Sequence, residues 1–239
     1  NFMKLAIVIP TYNEAETIPS LIKELFEKIK QLVEKLDVLI IDDSSPDGTA
    51  DIVRELGNKY EKITVIQRPK KMGLGAAYKE GFRYVLEKLD SELIVQMDAD
   101  HSHQPSEIPN MLEKIKNFDF LVASRHVEGS DVIGWGMWRK MTHSIAGAIA
   151  SVCAKIEIKD STSGFRMFRK KTLEKVDFDK IRSDGFAFQI EVLHQLKQLD
   201  MKGLEVPTVF INRTEGSSKM GSNEMMQFIT MCISYIGRK

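Results

Sequence analysis

The chain of 239 residues lacks the features that would place it in a membrane-spanning or nucleic-acid-binding class. About 18 or more consecutive apolar residues are needed to span a bilayer, and no stretch of the chain is that long. Its 34 basic and 34 acidic side chains cancel, so the net charge offers no general attraction for nucleic acid. The sequence therefore predicts a globular protein that binds any anionic ligand locally and has no nucleic-acid partner.

Cysteine is also scarce, and neither Cys153 nor Cys232 belongs to a CxxC or Cys/His spacing. This favours two reduced core thiols over a zinc or redox site.

Two glycine-rich nucleotide-binding motifs are also missing. GxGxxG does not follow the first predicted strand, which argues against a dinucleotide-binding Rossmann domain, and the missing GxxxxGK[ST] excludes a phosphate loop. The first residues include no basic region before an apolar segment, so no signal peptide is predicted and we expect a cytosolic compartment.

What the first half does contain is short, continuously apolar runs that alternate with amphipathic segments. This pattern predicts an α/β fold, with a mostly parallel, Rossmann-like sheet flanked by helices. The predicted strands are residues 4–10, 38–42, 63–67, 93–97 and 120–124. In such a sheet the ligand crevice opens at the carboxyl ends of the strands, where we expect the functional residues.

The second half has a different composition. A loop containing Gly and Trp precedes a predicted helix at 140–154, a strand that starts at Ser163, a helix at 186–199 and a strand from Val206. A polar loop at 213–223 comes before an apolar segment at 224–236 that is too short to cross a membrane. That segment is expected to lie on a membrane, to pack on a partner helix or to pack in the core.

The most informative residues are Asp98 and Asp100, directly after the fourth predicted strand. At positions i and i+2 they leave the strand on the same side. Neighbouring carboxylates repel each other, and a divalent cation removes that cost. Mg²⁺ or Mn²⁺ is usually held by one or two carboxylates together with phosphate oxygens. The pair therefore predicts a metal site for a nucleotide, with a solvated acidic loop as the alternative.

Two other strand ends carry candidate nucleotide contacts. Asp43 follows the second strand and is expected to accept from nucleobase N–H groups, with a well-capped turn as the alternative. After the first strand, Tyr12 can stack on a base, and Glu14 can bind a ribose hydroxyl or favour the start of the next helix.

Arginine and lysine side chains in predicted loops of the second half point to anion binding, since arginine forks match phosphate oxygens, with an ordinary surface charge as the alternative for each of them. They are Arg125, Arg139, Arg166, Arg213 and Lys219. Arg213 and Lys219 follow a predicted strand and are expected to close over a diphosphate like a lid.

The motifs VIPTYNE, IIDDSSPDGT, KKMGLGAAYKEGF, MDADHSHQP, STSGFRMFRK, GFAFQIE and INRTEGSSKMG occur in this order. Together they resemble the dolichol-phosphate (polyprenol-phosphate) mannosyltransferases, which are inverting family 2 glycosyltransferases with a GT-A fold. The resemblance implies a GT-A domain over residues 1–223, with a nucleotide-binding half to about 126 and an acceptor half from about 127. Residues 224–239 would then form a C-terminal amphipathic helix.

The resemblance also implies roles for individual residues. The positions that match nucleoside contacts are Pro10, Tyr12, Glu14, Ile41 and Asp43. The metal-binding motif is Asp98, Ala99 and Asp100, with Asp100 as the principal ligand and Ser102 where some relatives have a second one. The positions that match donor-diphosphate contacts are Arg125, Arg213 and Lys219. The acceptor-phosphate position is Arg139, assisted by His143 or Ser144.

The implied reaction is metal-dependent transfer of mannose from GDP-mannose to dolichyl or polyprenyl phosphate, with inversion. It would occur at the cytoplasmic side of a membrane, where the protein is peripheral and is held by a membrane-anchoring subunit or by a transmembrane segment outside this sequence. One alternative is a UDP-sugar donor such as UDP-glucose, or a hydroxyl acceptor, which would require Glu191 or Asp184 as a base. Another is a non-catalytic module that binds a nucleotide sugar and recruits a membrane partner.

Overall fold

The computed structural model describes residues 3–137, 147 and 156–212, and within them the chain forms nine strands. These are β1 (Lys4–Thr11), β2 (Lys35–Asp42), β3 (Ile63–Gln67), β4 (Leu93–Gln96), β5 (Phe120–Ser124), β6 (Asp131–Ile133), β7 (Arg166–Arg169), β8 (Gly203–Pro207) and β9 (Val209–Ile211). Seven of them form one sheet in the order β3-β2-β1-β4-β7-β5-β8. β7 is antiparallel to β4 and β5, and the other neighbours in this sheet are parallel. The predicted mostly parallel sheet is confirmed.

Helices cover both faces of this sheet. They are α1 (Ile18–Lys28), α2 (Thr49–Leu56), α3 (Leu74–Lys88), α4 (Ile108–Lys114), α5 (Lys170–Leu173) and α6 (Gly185–Gln198). Successive residues of a strand point to opposite faces. The odd-numbered residues of β1 pack in one buried layer with α1 and α4, and the even-numbered residues pack in the other with α3 and α6. A strand buried on both faces needs a continuous apolar run, as the sequence of β1 has.

The close approach of α3 to the sheet depends on Gly81. A Cβ atom at this position would lie 2.4 Å from Cγ1 of Val8 and 3.3 Å from Cγ1 of Ile41. The missing side chain therefore lets α3 lie directly against β1 and β2. As a result, the first turns of α3 lie next to the carboxyl ends of the parallel strands.

Several predictions for the second half need correction or cannot be compared. The strand expected from Ser163 begins at Arg166, and the strand expected from Val206 is divided into β8 and β9. The loop expected after β5 contains β6, which pairs with β9 in a separate two-stranded parallel sheet. The predicted helix at 140–154, apart from Gly147, and the segments at 213–223 and 224–239 lie outside the described residues. No helix among the described residues is long and apolar enough to cross a membrane.

Candidate functional site

The carboxyl ends of β1, β2, β3 and β4 lie at one edge of the sheet, as their parallel pairing requires. The chain turns sharply after three of these strands, where Asn13, Ser44 and His101 have φ angles of 59°, 54° and 57°. Such left-handed conformations are uncommon for residues other than glycine and often occur at functional sites. The Asn13 amide donates to Oγ of Ser45 at 3.0 Å, so the first two turns are joined. The predicted crevice edge is therefore a packed set of strand-end loops.

Asp43 is buried at this edge, and its carboxylate already has several donors. It forms an ion pair with the buried Arg68, and it accepts from the backbone N–H groups of Met72 at 3.0 Å and Gly73 at 3.3 Å. Arg68 also donates to the carbonyl oxygen of Gly73 at 2.9 Å. Arg68 is not among the predicted site residues, and its only signal in the sequence is its place directly after β3. The nucleobase contact expected for Asp43 stays a prediction.

The other candidate nucleoside positions lie on or just after β1 and β2. The Lys71 ammonium is 4.2 Å from the centroid of the Tyr12 ring, close enough for a cation–π interaction. Glu14 accepts from the Thr17 hydroxyl at 3.0 Å, so it does contribute to the start of α1 as the alternative predicted. Pro10 lies within β1, and the Ile41 side chain is fully buried. A nucleoside contact by Ile41 would therefore have to use its backbone.

The two carboxylates of the DxD motif are held differently. Asp98 accepts from the Tyr78 hydroxyl at 3.0 Å, and its backbone N–H donates to Nδ1 of His103 at 3.0 Å. Asp100 accepts from the amide of Ser102 at 3.0 Å and from its hydroxyl at 2.6 Å, and Ala99 between them is buried. Burial and the negative charge of Asp98 raise the pKa of the Tyr78 hydroxyl well above its usual value. Tyr78 therefore remains a neutral hydrogen-bond donor near pH 7.

The oxygen atoms of this motif fit a hard divalent cation that arrives with a substrate. The described residues include no group of three or more His, Cys, Asp or Glu side chains placed to hold a metal by themselves. Mg²⁺, however, commonly binds through one or two carboxylates plus substrate phosphates. Asp98 and Asp100 supply such carboxylates, and the Ser102 hydroxyl is hydrogen-bonded to Asp100. The motif therefore fits a cation shared between the protein and a diphosphate.

Arg125, expected at the donor diphosphate, has other contacts in the structure. Its guanidinium forms a two-point ion pair with Asp160, with both distances 2.7 Å. Its Cζ atom lies 5.6 Å from the ring centroid of Trp135 and 5.3 Å from that of Phe210, and the two rings also contact each other. Burial opposes ionisation of Asp160, but the positive charge and hydrogen bonds of Arg125 outweigh it and hold the pKa of this carboxyl well below its usual range. The pair joins the end of β5 to the chain before β7, and the diphosphate role of Arg125 stays a prediction.

The expectation that Arg166 binds an anion from a loop is wrong. Arg166 is fully buried in β7, and its guanidinium donates to three backbone carbonyl oxygens at 2.8 to 2.9 Å. Because carbonyl oxygens satisfy its donors and burial excludes water, the side chain cannot present its charge to a ligand at the surface.

The two carboxylates considered as bases are engaged with backbone amides. Glu191 accepts from the N–H groups of Arg182 and Ser183, both at 3.0 Å. Asp184 caps α6 by accepting from Gly185 at 2.8 Å, and it also accepts from the backbone N–H of Gly75. The Asp184 contacts join the start of α6 to the start of α3.

Five predicted site residues cannot be compared with the structure. Arg139, His143, Ser144, Arg213 and Lys219 lie outside the described residues. The structure thus brings the predicted nucleoside and metal positions to one edge of the sheet, and the predicted acceptor and lid cations stay predictions.

Two bacterial enzymes are similar to this chain in sequence. The chain is 37% identical to undecaprenyl-phosphate mannosyltransferase of Micrococcus luteus, over 91% of this chain and 88% of that protein. It is 36% identical to polyprenol monophosphomannose synthase of Mycolicibacterium smegmatis, over 91% of this chain and 81% of that protein.

The fold is shared with more distant enzymes. Glucosyl-3-phosphoglycerate synthase of Mycobacterium tuberculosis, solved with Mn²⁺, UDP and phosphoglyceric acid, superposes with a TM-score of 0.70 at 17% identity, over 98% of this chain and 79% of that one. A mannosyltransferase of Pyrobaculum calidifontis, solved with GDP-Man and Mn²⁺, superposes with a TM-score of 0.65 at 16% identity, over 98% of this chain and 65% of that one. The predicted GT-A type of fold is confirmed. The family described as glycosyl transferase family 2 matches residues 6–177, and the chain belongs to this family of glycosyltransferases.

Proposed function

We propose that this glycosyltransferase transfers mannose from GDP-mannose to dolichyl or another polyprenyl phosphate, with inversion and with Mg²⁺ or Mn²⁺ as cofactor. The observation that carries the proposal is the identity of 37% and 36%, over 91% of the chain, to two enzymes named for mannose and polyprenyl phosphate. The fold itself is compatible with GDP-Man in one structural neighbour and with UDP-glucose in another. The choice of GDP-mannose therefore follows from the mannose in the names of the sequence relatives.

The arrangement of the strand ends supports nucleotide-sugar binding. Tyr12 and Asp43 would hold the nucleoside, and Asp98 and Asp100 at the end of β4 would hold the cation and, through it, the diphosphate. A bound cation would supply positive charge that stabilises the leaving nucleoside diphosphate. The carboxylates of the chain itself would provide oxygen ligands that the end of β4 already places side by side, so little reorganisation would be needed when the donor binds.

A phosphate acceptor suits the proposed reaction because it needs no general base. A phosphate monoester has a second pKa of about 6, so near pH 7 it is already mostly a dianion and needs no base. A hydroxyl acceptor would need one, and the candidates for that role are Glu191 and Asp184. In the proposed reaction an oxygen of the acceptor phosphate attacks the anomeric carbon of mannose. At the same time the bond between that carbon and the donor diphosphate breaks, so the configuration of the anomeric carbon is inverted.

The remaining roles are proposed from the resemblance. Arg139, assisted by His143 or Ser144, would hold the acceptor phosphate, and Arg213 and Lys219 would stabilise the leaving diphosphate. Residues to about 126 would form the nucleotide half and residues 127–223 the acceptor half. Because the acceptor is a lipid, the protein would work at the cytoplasmic surface of a membrane, with residues 224–239 facing that membrane or a partner.

The test is transfer of radiolabelled mannose from GDP-mannose to a short polyprenyl phosphate by the Asp100→Asn variant. We expect loss of most metal-dependent transfer with an unchanged circular dichroism spectrum. Asp51→Asn, on the exposed side of α2, is the matched control and should transfer like the wild type. Wild-type turnover by Asp100→Asn would show that the metal assignment is wrong. Donor binding by the wild type without any transfer would favour the non-catalytic alternative.

A further inference from the structure

Four polar side chains form a continuous buried group below the DxD motif. They are Tyr78 on α3, Gln96 at the end of β4, Arg166 on β7 and Gln189 on α6, and none is more than 1% exposed. Apart from these four side chains, the layer between the sheet and helices α3 and α6 is largely apolar. We call these four residues the buried polar group.

Hydrogen bonds connect the buried polar group to Asp98. The Tyr78 hydroxyl donates to Oδ1 of Asp98 at 3.0 Å, and the Gln96 amide lies beside the same hydroxyl. Gln96 donates to the side-chain oxygen of Gln189 at 2.8 Å, and Arg166 donates to the backbone oxygen of Gln189 at 2.8 Å. Hydrogen bonds therefore run from β7 through α6 to Gln96 of β4, and Gln96 lies beside Tyr78 of α3, which donates to the metal motif.

Arg166 also holds the loop that lies against the other side of Asp98. Its guanidinium donates to the carbonyl oxygens of Ser161 at 2.9 Å and Ser163 at 2.8 Å. A Cβ atom at the neighbouring Gly164 would lie 3.6 Å from Oδ2 and 3.7 Å from Oδ1 of Asp98, which is ordinary van der Waals contact. The Asp98 carboxylate thus accepts from Tyr78 and lies against a loop whose carbonyl oxygens accept from Arg166.

This arrangement is not what stability alone would favour. Among the described residues, Oε1 of Gln96 and Nε2 of Gln189 are buried without a hydrogen-bond partner. Buried polar atoms of this kind are unfavourable and uncommon, and apolar side chains of the same size would avoid them.

We propose that Tyr78 is a positioning residue, which fixes the Asp98 carboxylate for a cation bound with the donor diphosphate. The other three members of the buried polar group support this geometry: Gln96 and Gln189 keep Tyr78 in place, and Arg166 keeps the loop at residues 161–164 in place. This inference rests on the proposed function, because it assumes that Asp98 takes part in metal binding. Groups that orient a metal ligand commonly change metal affinity when they are removed, although they never touch the metal.

The experiment measures Mn²⁺ binding by the full chain in the presence of GDP, from the electron paramagnetic resonance signal of free Mn²⁺. We expect Tyr78→Phe to weaken Mn²⁺ binding about 10- to 100-fold, as removal of such a partner usually does, with the fold retained by circular dichroism. Tyr84→Phe is the matched control, since it removes the same atom from a half-buried tyrosine of the same helix. The control should bind Mn²⁺ like the wild type.

The possible results separate this inference from the proposed function. If the wild type binds Mn²⁺ with GDP and Tyr78→Phe binds it equally well, the positioning role is refuted and the proposed function stands. If the wild type does not bind Mn²⁺, both are overturned. If Tyr78→Phe does not fold, Gln96→Leu takes its place, because it leaves the bond from Tyr78 to Asp98 possible but removes its support. Its Mn²⁺ affinity should fall by about tenfold, and an unchanged affinity would refute the inference.

Discussion

The ion pair between Arg125 and Asp160 provides a quantitative test of what Arg125 does. The Asp160 side chain is fully buried and that of Arg125 is 6% exposed. Asp160→Asn keeps the size of the side chain but leaves the guanidinium buried without a compensating charge. Breaking a buried ion pair by removing one partner costs about 3–5 kcal/mol. We therefore expect the free energy of unfolding to fall by about that amount.

The same loss can be expressed as a melting temperature. In a chain of this length, each kcal/mol shifts the melting temperature by about 2–4 °C. Asp160→Asn should therefore melt roughly 6–20 °C below the wild type. Replacing both members of the pair with apolar residues, as in Arg125→Met with Asp160→Leu, should recover part of the loss because no unpaired charge remains.

The assay is urea unfolding followed by circular dichroism at pH 7, together with the KM for the sugar donor. Asp177→Asn is the control, because Asp177 forms an exposed ion pair with Lys180 and its loss should leave stability nearly unchanged. Unchanged stability of Asp160→Asn would refute the reasoning. A raised donor KM in Arg125→Lys, with stability intact, would instead support the diphosphate role that the sequence predicted.

The pH dependence of this pair follows from the lowered pKa of Asp160. A carboxylate whose pKa is lowered by folding contributes stability above its unfolded-state pKa of about 3.9, and that stability is lost as the pH falls through the folded-state pKa. The stability difference between wild type and Asp160→Asn should therefore be constant from about pH 5 to 7 and shrink below about pH 4. A difference that grows in acid would contradict the direction of the pKa shift.

Three further predictions concern packing and the acceptor. Gly81→Ala should lower the free energy of unfolding by about 1–3 kcal/mol in urea, since its Cβ would overlap Val8; Gly136→Ala, whose added Cβ meets no atom of the described residues within 4 Å, should not. Glu191→Gln should keep most mannosyl transfer to a lipid phosphate, whereas complete loss in a folded variant would favour a hydroxyl acceptor that needs a base. Arg139→Ala should raise the KM for polyprenyl phosphate and leave GDP binding unchanged by calorimetry; an effect on GDP alone would refute its acceptor role.

The first half of the sheet and its ligand edge could be predicted from the sequence because their signals are local. β3 and β5 have the predicted ends, since each is a short apolar run between polar or turn-forming residues. Parallel strands end at the same edge, so Asp43, Asp98 and Asp100 could be placed together before any contact was known.

The buried charges could not be predicted, because their partners lie far away along the chain. Arg68 pairs with an aspartate 25 residues earlier, and Arg166 donates to the carbonyl oxygen of a residue 23 positions later. Arginine is usually exposed, so both side chains look like surface charges in the sequence. The insertion of β7 between β4 and β5 is equally non-local, because an antiparallel pairing of this kind leaves no mark in the strand itself.

The most direct test of the proposed reaction is the mass and anomeric configuration of the lipid product formed with GDP-mannose and Mg²⁺. The wild-type chain is supplied with polyprenyl phosphate or with the unphosphorylated polyprenol. The proposed function predicts a β-linked mannosyl phosphate from the first lipid, nothing from the second, and no product once EDTA removes the metal. Transfer to the unphosphorylated polyprenol, or undiminished turnover in EDTA, would contradict it.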